Sequence, residues 1–578
     1  MRHRWPEDTR FTRVVLEVED NVCAVCGGVL HICDHRRHRI FTLQGPVEMV
    51  CKLVHCSDRQ CAAHTKTRSP YAETTLTLPW WLIGWDVFCW MGHRRFARHW
   101  SVPQIRSELA DSYQIPLSAD AIEDAVRRYQ TMLAARQQDP QVVAAAYRNV
   151  EALVLSIDGL QPEKGHETLY VVRELNAKRI WFAEALLSSN ADEVRRLVSQ
   201  ARAWATQLGL PVHLWLSDKQ DAFVTGIAAE FPEVPHRYCV NHFLRDLAKP
   251  MLETDRHAKV KMRSKVRGLR AIEREILQQR QRIVAEEPPV APVPVLPVPP
   301  PPANPLAKDV PVATGPPTDA GEVVLDYCSA VRGILNDDQG GPLQPPGLRM
   351  AEALGDVRAS LQRNLDAHRG GRAHTQLQRL AGCIDRGVAA VQAEHHIVRQ
   401  QRQEIERVAA TLICANGSAT ERQAQFTRLQ EEFASLDTSF YHHVAGVMAS
   451  FAAGLFVGGD TLPCLQDNVD LERWFRQPKG HERRIHGHRH AGVRIVQEGP
   501  TLLLALDAHM THPEPFIAHD LEPYQDASAP PCQVEALHRR KIIRKARSKK
   551  TNALTHRLGT SVLECFLAFY RLVEYNSP

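Results

Sequence analysis

The chain has 578 residues, 44% of them apolar and 24% charged, and its 71 Lys and Arg against 66 Asp and Glu leave a net charge of +5. This composition excludes fibrous, collagenous and wholly disordered chains, and at roughly 150 residues per domain it predicts three or four folded domains. The longest apolar run, Trp80 to Met91, is broken by Asp86 and falls far short of the roughly 20 residues that cross a bilayer, so no membrane association is expected. Met1 to Arg13 is Arg-rich and lacks the apolar stretch of a secretory signal, which predicts a cytoplasmic protein.

Residues 1–70 form a Cys/His-rich segment with short strand-like pieces such as Val47 to Leu53. Seven of the 14 cysteines fall within the first 89 residues, a crowding that without secretion points to metal binding over disulfides. Cys23 and Cys26 are separated by two residues and Cys56 and Cys61 by four, the two-knuckle layout of an all-cysteine zinc ribbon. Cys33, His35, Cys51, His55 and His64 compete as ligands. Residues 71–145 read as helical. Within them Trp100 to Leu109 and Ser118 to Arg128 have the layout of a helix-turn-helix, with Ser118 capping the recognition helix and Arg127 and Arg128 as DNA contacts. Plain helical packing is the competing reading.

Residues 146–248 are an α/β segment. Strands are predicted at Ala152 to Ile157, Leu169 to Leu175, Arg179 to Leu187, Pro211 to Ser217 and His236 to Cys239, and helices at Asn190 to Gln207 and Gln220 to Phe231. This order resembles a ribonuclease-H-like fold, in which the first and fourth strands are neighbours. Asp158 would then end the first strand and Asp218 the fourth, and two adjacent carboxylates stay ionised together most readily around a divalent cation. Cys239-Val-Asn-His242 follows the fifth strand and reads as a buried Cys beside a positioning His. Residues 249–464 are charged and helical, interrupted at 288–317 by a Pro-rich linker that can neither pair in a sheet nor continue a helix. In 465–578, Glu472 is followed by Arg473, Arg476, Lys479, Arg483 and Arg484, a cationic series suited to DNA phosphates. His486, His488 and His490 read as phosphate contacts, and a second basic run extends from Arg539 to Lys550.

Ser156-Ile-Asp158-Gly, Leu216-Ser-Asp218-Lys-Gln-Asp and Asn468-x-x-x-Glu472-x-x-Phe475-Arg476-x-x-Lys479-x-x-x-Arg483-Arg484-x-x-Gly487 resemble, in order, the three acidic motifs of the DDE transposases of bacterial insertion sequences. The N-terminal cysteines, with His38-Arg-Ile and Leu43-Gln-Gly-Pro-Val, look like the zinc-binding head of the ISL3-like members. The resemblance implies a multidomain α/β protein: a ribonuclease-H-like catalytic domain interrupted by a mostly helical insertion, preceded by a zinc ribbon and a helix-turn-helix. It implies DNA strand cleavage and strand transfer, with Asp158, Asp218 and Glu472 holding Mg2+ or Mn2+ and Cys23, Cys26, Cys56 and Cys61 holding Zn2+. The implied partners are double-stranded DNA, as transposon terminal inverted repeats, and further copies of the chain. A DNA-binding regulator without catalysis and a metal-dependent nuclease of the same fold remain alternatives.

Overall fold

The computed structural model describes residues 5, 8–161, 167–187, 189–286, 320–367, 369–462, 469–487, 492–512 and 514–546. The Pro-rich linker, Asn468, His488, His490, Lys549 and Lys550 lie outside the described residues. The chain forms two compact units, one of residues 1–239 with 461–578 and one of Val240–Asp460.

The first unit begins with a three-stranded sheet of β1 (Thr12–Leu16), β2 (Leu30–Thr42) and β3 (Gly45–Cys56) in the order β1-β3-β2. β2 and β3 form an antiparallel hairpin closed by the Thr42 hydroxyl donating to the Gly45 carbonyl at 2.7 Å, and β1 runs parallel to β3. Its apolar content is slight: Leu16, Ile40, Met49 and Cys51 make one small cluster and Cys23, Leu30, Val54 and Cys56 another. Helices α1 (Trp85–Phe96), α2 (Val102–Tyr113), α3 (Ala119–Gln137) and α4 (Pro140–Ala146) follow. Ser101 opens α2 in a capping box with Gln104, Ser118 accepts from the Ala121 amide to open α3, and Asp139 caps α4.

A five-stranded sheet comes next, of β4 (Leu153–Leu160), β5 (Thr168–Glu174), β6 (Arg179–Leu186), β7 (Val212–Ser217) and β8 (His236–Tyr238). Its order is β6-β5-β4-β7-β8, antiparallel through β4 and parallel from β4 to β8. The strands read as near-continuous apolar runs because both faces are covered. Leu155, Ile157, Tyr170 and Val172 pack under α5 (Ala191–Leu208) and α6 (Asp221–Glu230), whose Val194, Leu197, Val198 and Ile227 complete that layer. Asn190 caps α5 and Gly209 ends it in the left-handed conformation.

The second unit is helical in its described residues: α7 (Val240–Leu247), α8 (Lys249–Lys265), α9 (Leu269–Glu286), α10 (Ala320–Leu335), α11 (Pro346–Ala367), α12 (Gly371–Ala389), α13 (Gln392–Leu412), α14 (Ala419–Ala434) and α15 (Ser439–Leu455). Met262, Val331, Leu354, Leu361, Leu380 and Ile384 join α8, α10, α11 and α12 in one core. Phe243 packs against Phe426 and Phe451, tying α7 to α14 and α15. Asp255 of α8 accepts from the amides of Gly347 and Leu348 at 2.6 and 2.7 Å, which satisfies the buried start of α11.

The chain then returns to the first unit as α16 (Val469–Trp474), α17 (Arg476–His486), α18 (Gly492–Thr511), α19 (Ala518–Leu521) and α20 (Pro531–Ala546). α18 is apolar on several sides and lies between the sheet and the N-terminal helices, contacting β6 and β5 on one side and α3 and α1 on another. Leu169, Val171, Ile180 and Ala183 therefore share a core with Leu503, Leu506, Phe88, Phe96 and Tyr129. Segments that read as separate in the sequence are thus fused into one compact body.

Candidate functional site

β4 and β7 are parallel neighbours in the register Leu155 with Trp215 and Ser156 with Leu216. Extended past the last paired residues, the same offset brings Asp218, just after β7, level with Asp158 of the neighbouring strand. One expectation needs correction: β4 runs on to Leu160, so Asp158 lies inside the strand and not at its end. The cause is β5, whose antiparallel pairing continues through Asp158 with Val171 and Leu160 with Leu169. Asp158 is 8% exposed and its Oδ1 accepts from the Gly159 amide at 2.7 Å. Asp218 Oδ1 accepts from the Gln220 amide at 3.1 Å, a turn that also starts α6. His236 of β8 supports this end of β7 through its Nε2, 2.7 Å from Ser217 Oγ, and burial lowers its pKa to about 4, so the ring is neutral at neutral pH.

The third carboxylate reaches the same edge by a different route. The Cys239 amide donates to the Ser217 carbonyl at 2.7 Å, and a Glu472 carboxylate oxygen lies within 4.8 Å of Cys239 Sγ. α16 packs against β4. Lys479, on α17, feels both Asp158 and Glu472: loss of solvent and neighbouring Arg483 lower its pKa, and the two carboxylates pull it back up. The three acids are gathered at one edge without all lying within 4.8 Å of one another. α16 and α18 are held to the sheet by a buried cation that the sequence did not single out. Arg173 of β5, 4% exposed, reaches Asp470 at 3.3 Å and Asp507 at 3.5 Å and lies over the Trp474 ring at 5.8 Å. Asp507 also accepts from the Ile180 amide at 3.1 Å, and burial raises its pKa to about 6 despite Arg173. Nothing local marks Arg173, because its partners lie some 300 residues away in sequence.

The expected cations divide by exposure. Arg473, Arg476, Lys479, Arg483 and Arg484 are all exposed, while Leu471, Trp474, Pro478, His481, Glu482 and Ile485 of the same two helices, and Phe475 between them, are buried. Arg127 is exposed and pairs with Asp124 at 3.1 Å, whereas Arg128 donates to the Ala527 carbonyl at 2.6 Å. The buried side of α3, including Ile122, Val126 and Tyr129, belongs to the shared core. His486 is the last residue of α17, which Gly487 ends in the left-handed conformation.

At the N-terminus Cys23, Cys26, Cys56 and Cys61 bring their sulfurs within 4.8 Å of one another, with Cys26 to Cys56 at 3.4 Å and Cys23 to Cys61 at 3.8 Å. They can hold a metal ion such as zinc. Backbone amides of Gly28 and Ala63 donate to Cys26 and Cys61 sulfurs at 3.4 Å, which stabilises thiolates. Gly27 turns the first knuckle at φ +72°, and a Cβ on Gly28 would come within 3.3 Å of Cys26 Sγ. The amides of Cys26 and Val25 lower the Cys23 thiol to about 7, while burial raises Cys56 to about 12. The competing ligands are not part of this group: Cys33 donates to the Leu53 carbonyl at 3.3 Å, Cys51 is buried in the sheet core, and His64 stands beside the cluster with Nδ1 2.7 Å from the Cys56 carbonyl.

No known protein-family model matches the chain, and a comparison with characterised proteins finds none similar to it.

Proposed function

We propose that the chain is a DDE-type DNA transposase that cuts and rejoins phosphodiester bonds at the edge of a ribonuclease-H-like sheet. What supports the reading is the parallel pairing of β4 with β7, whose register extended brings Asp158 and Asp218 level, together with Lys479 lying in the field of both Asp158 and Glu472. Two carboxylates held side by side repel one another, a cost that a hard divalent cation removes. The strand order β6-β5-β4-β7-β8, with β4 and β7 as neighbours, supports the reading of that fold.

The oxygen-only donor set suits Mg2+ or Mn2+, which when bound supplies the positive charge that favours an ionised water or 3′-hydroxyl and a departing oxygen at phosphorus. Asp158 and Asp218 would hold the cation jointly and Glu472 would complete the set. Arg473, Arg476, Lys479, Arg483 and Arg484 leave exposed charge beside these acids, where it orients a phosphate backbone. The attacking oxygen enters in line with the leaving one, so no protein nucleophile is required. Cys23, Cys26, Cys56 and Cys61 would hold Zn2+ as a structural centre. Double-stranded DNA, as terminal inverted repeats, and a second copy of the chain are the proposed partners.

Asp158→Asn, Asp218→Asn and Glu472→Gln should each abolish Mg2+-dependent cleavage of a DNA end while DNA binding, read by mobility shift, is retained. Undiminished cleavage by Asp158→Asn would refute the assignment.

A further inference from the structure

The N-terminal sheet carries a second site that the carboxylate chemistry does not use. A cavity of about 550 Å3 opens between β2 and the segment before α1, lined among others by Arg36, Arg37, Arg68, Glu73 and Trp80. This lies within the roughly 300–1,000 Å3 range of small-molecule sites. Trp80 is 84% exposed and its backbone is left-handed at φ +66°. A bulky side chain at positive φ is strained, and the strain persists only where surrounding bonds impose it. Here they do: His38 Nε2 is 2.8 Å from the Trp81 carbonyl, the Phe41 amide donates to the Leu82 carbonyl at 2.8 Å, and Trp81 packs edge-on against Phe88. Trp81 is thereby fixed inward and Trp80 is turned out to water. Neither core packing nor backbone preference accounts for a tryptophan in that position.

The charges around the ring are arranged for an anion. Arg36, ion-paired with Glu73, covers one face of Trp80 at 5.5 Å from its centroid. Arg37 and Arg68 are exposed and, among the described residues, lie within 4 Å of no carboxylate, although the field of Arg68 reaches Glu19. A flat aromatic surface beside an uncommitted guanidinium group matches one chemistry well: a nucleobase stacked on the ring with a flanking phosphate on Arg68.

We infer that this cavity binds an unpaired base of a single-stranded nucleic acid, with Trp80 as the stacking platform and Arg68 as a phosphate contact. Duplex DNA cannot use the platform, since its bases are already stacked. The site is independent of the acidic edge and stands or falls on binding alone.

The test uses the full chain, zinc-loaded and without magnesium, so that failure here leaves the cleavage proposal untouched. The probe is a short single strand carrying one 2-aminopurine, followed by anisotropy and by quenching of the purine. Trp80→Ala should weaken single-strand binding about 5- to 150-fold, abolish the quenching and leave duplex binding unchanged. Trp80→Phe should keep most of the affinity. Trp80→Gly removes the ring but relieves the left-handed strain, so it should lose binding while its unfolding midpoint stays level or rises. Undiminished single-strand binding by Trp80→Ala would overturn the inference, as would equal losses on single strand and duplex. A free nucleoside monophosphate that binds as tightly as the strand would identify a metabolite site and also overturn it.

Discussion

Glu482 shows how much a single buried acid on α17 can say about pH. It is 3% exposed beside His481, with Arg494 Nε at 4.0 Å and His486 Nε2 at 3.7 Å. Burial raises its pKa from 4.5 to about 7, against the pull of Arg494. Below the unfolded value both folded and unfolded chains are protonated there, so burial of the acid costs nothing. As pH rises past the unfolded value towards the folded one, the folded chain keeps a proton that the unfolded chain has lost, and stability declines between about pH 4.5 and pH 7, by on the order of 3 kcal/mol. Glu482→Gln keeps the shape without the charge. Urea unfolding should therefore find the variant more stable than the parent near about pH 8 and no more stable near about pH 4.5. An unchanged pH profile would mean that Arg494 fully neutralises the site. His481 and His509, also buried, have pKa values pushed down by desolvation, that of His509 to about 3.

At the scale of elements the decisive feature is the attachment of α16, because this short helix carries Glu472. Its own six residues cannot sustain a helix, since nucleation is unfavourable and isolated helices this short are marginal. Arg173 supplies the anchorage through Asp470, while Asp507 ties α18 to the same guanidinium. Removing one member of a buried charge cluster leaves the others uncompensated, so Arg173→Ala should cost about 3–5 kcal/mol. It should also expose α16 amides to hydrogen exchange, and Asp507→Asn in the same chain should recover part of the loss. A variant with normal α16 protection would place the anchorage in Leu471 and Trp474 packing instead. The sequence was informative about the elements themselves: the five strand segments are found within three residues at either end, and Asn190 and Ser118 cap the helices expected of them. Alternation, apolar runs and capping residues are local signals, so they survive without tertiary information. The extra reach of β4 past Asp158 was not visible, because it depends on a partner strand continuing beside it.

For the molecule as a whole, the N-terminal sheet depends on something beyond its own apolar contacts. Its two clusters hold four buried residues each, too little to offset the ordering of a segment of this size. A metal on the four cysteines would close that deficit. Stripping it with a chelator should release four thiols and remove hydrogen-exchange protection from β2 and β3 while β4 to β7 keep theirs. Retained protection in β2 and β3 after complete removal of metal would show that the cysteines are not the structural centre.

The sequence by itself determined the α/β character of the middle segment, the identity of the four cysteines that meet, and the helical character of the described residues between Val240 and Asp460. Each of these follows from spacing or periodicity over a few tens of residues. Tertiary structure alone decided which cysteine and histidine competitors were left out: strand register turns Cys33 and Cys51 to other partners, and the Cys56 carbonyl engages His64. It also decided that the N-terminal helices, the five-stranded sheet and the C-terminal helices make one body. That outcome rests on α18, whose apolar surface is satisfied only by covering the sheet and the N-terminal helices together, and on Arg173, whose two acids are brought to it by the fold. Long-range burial and charge pairing are properties of surfaces that meet in space, and no window of sequence contains both.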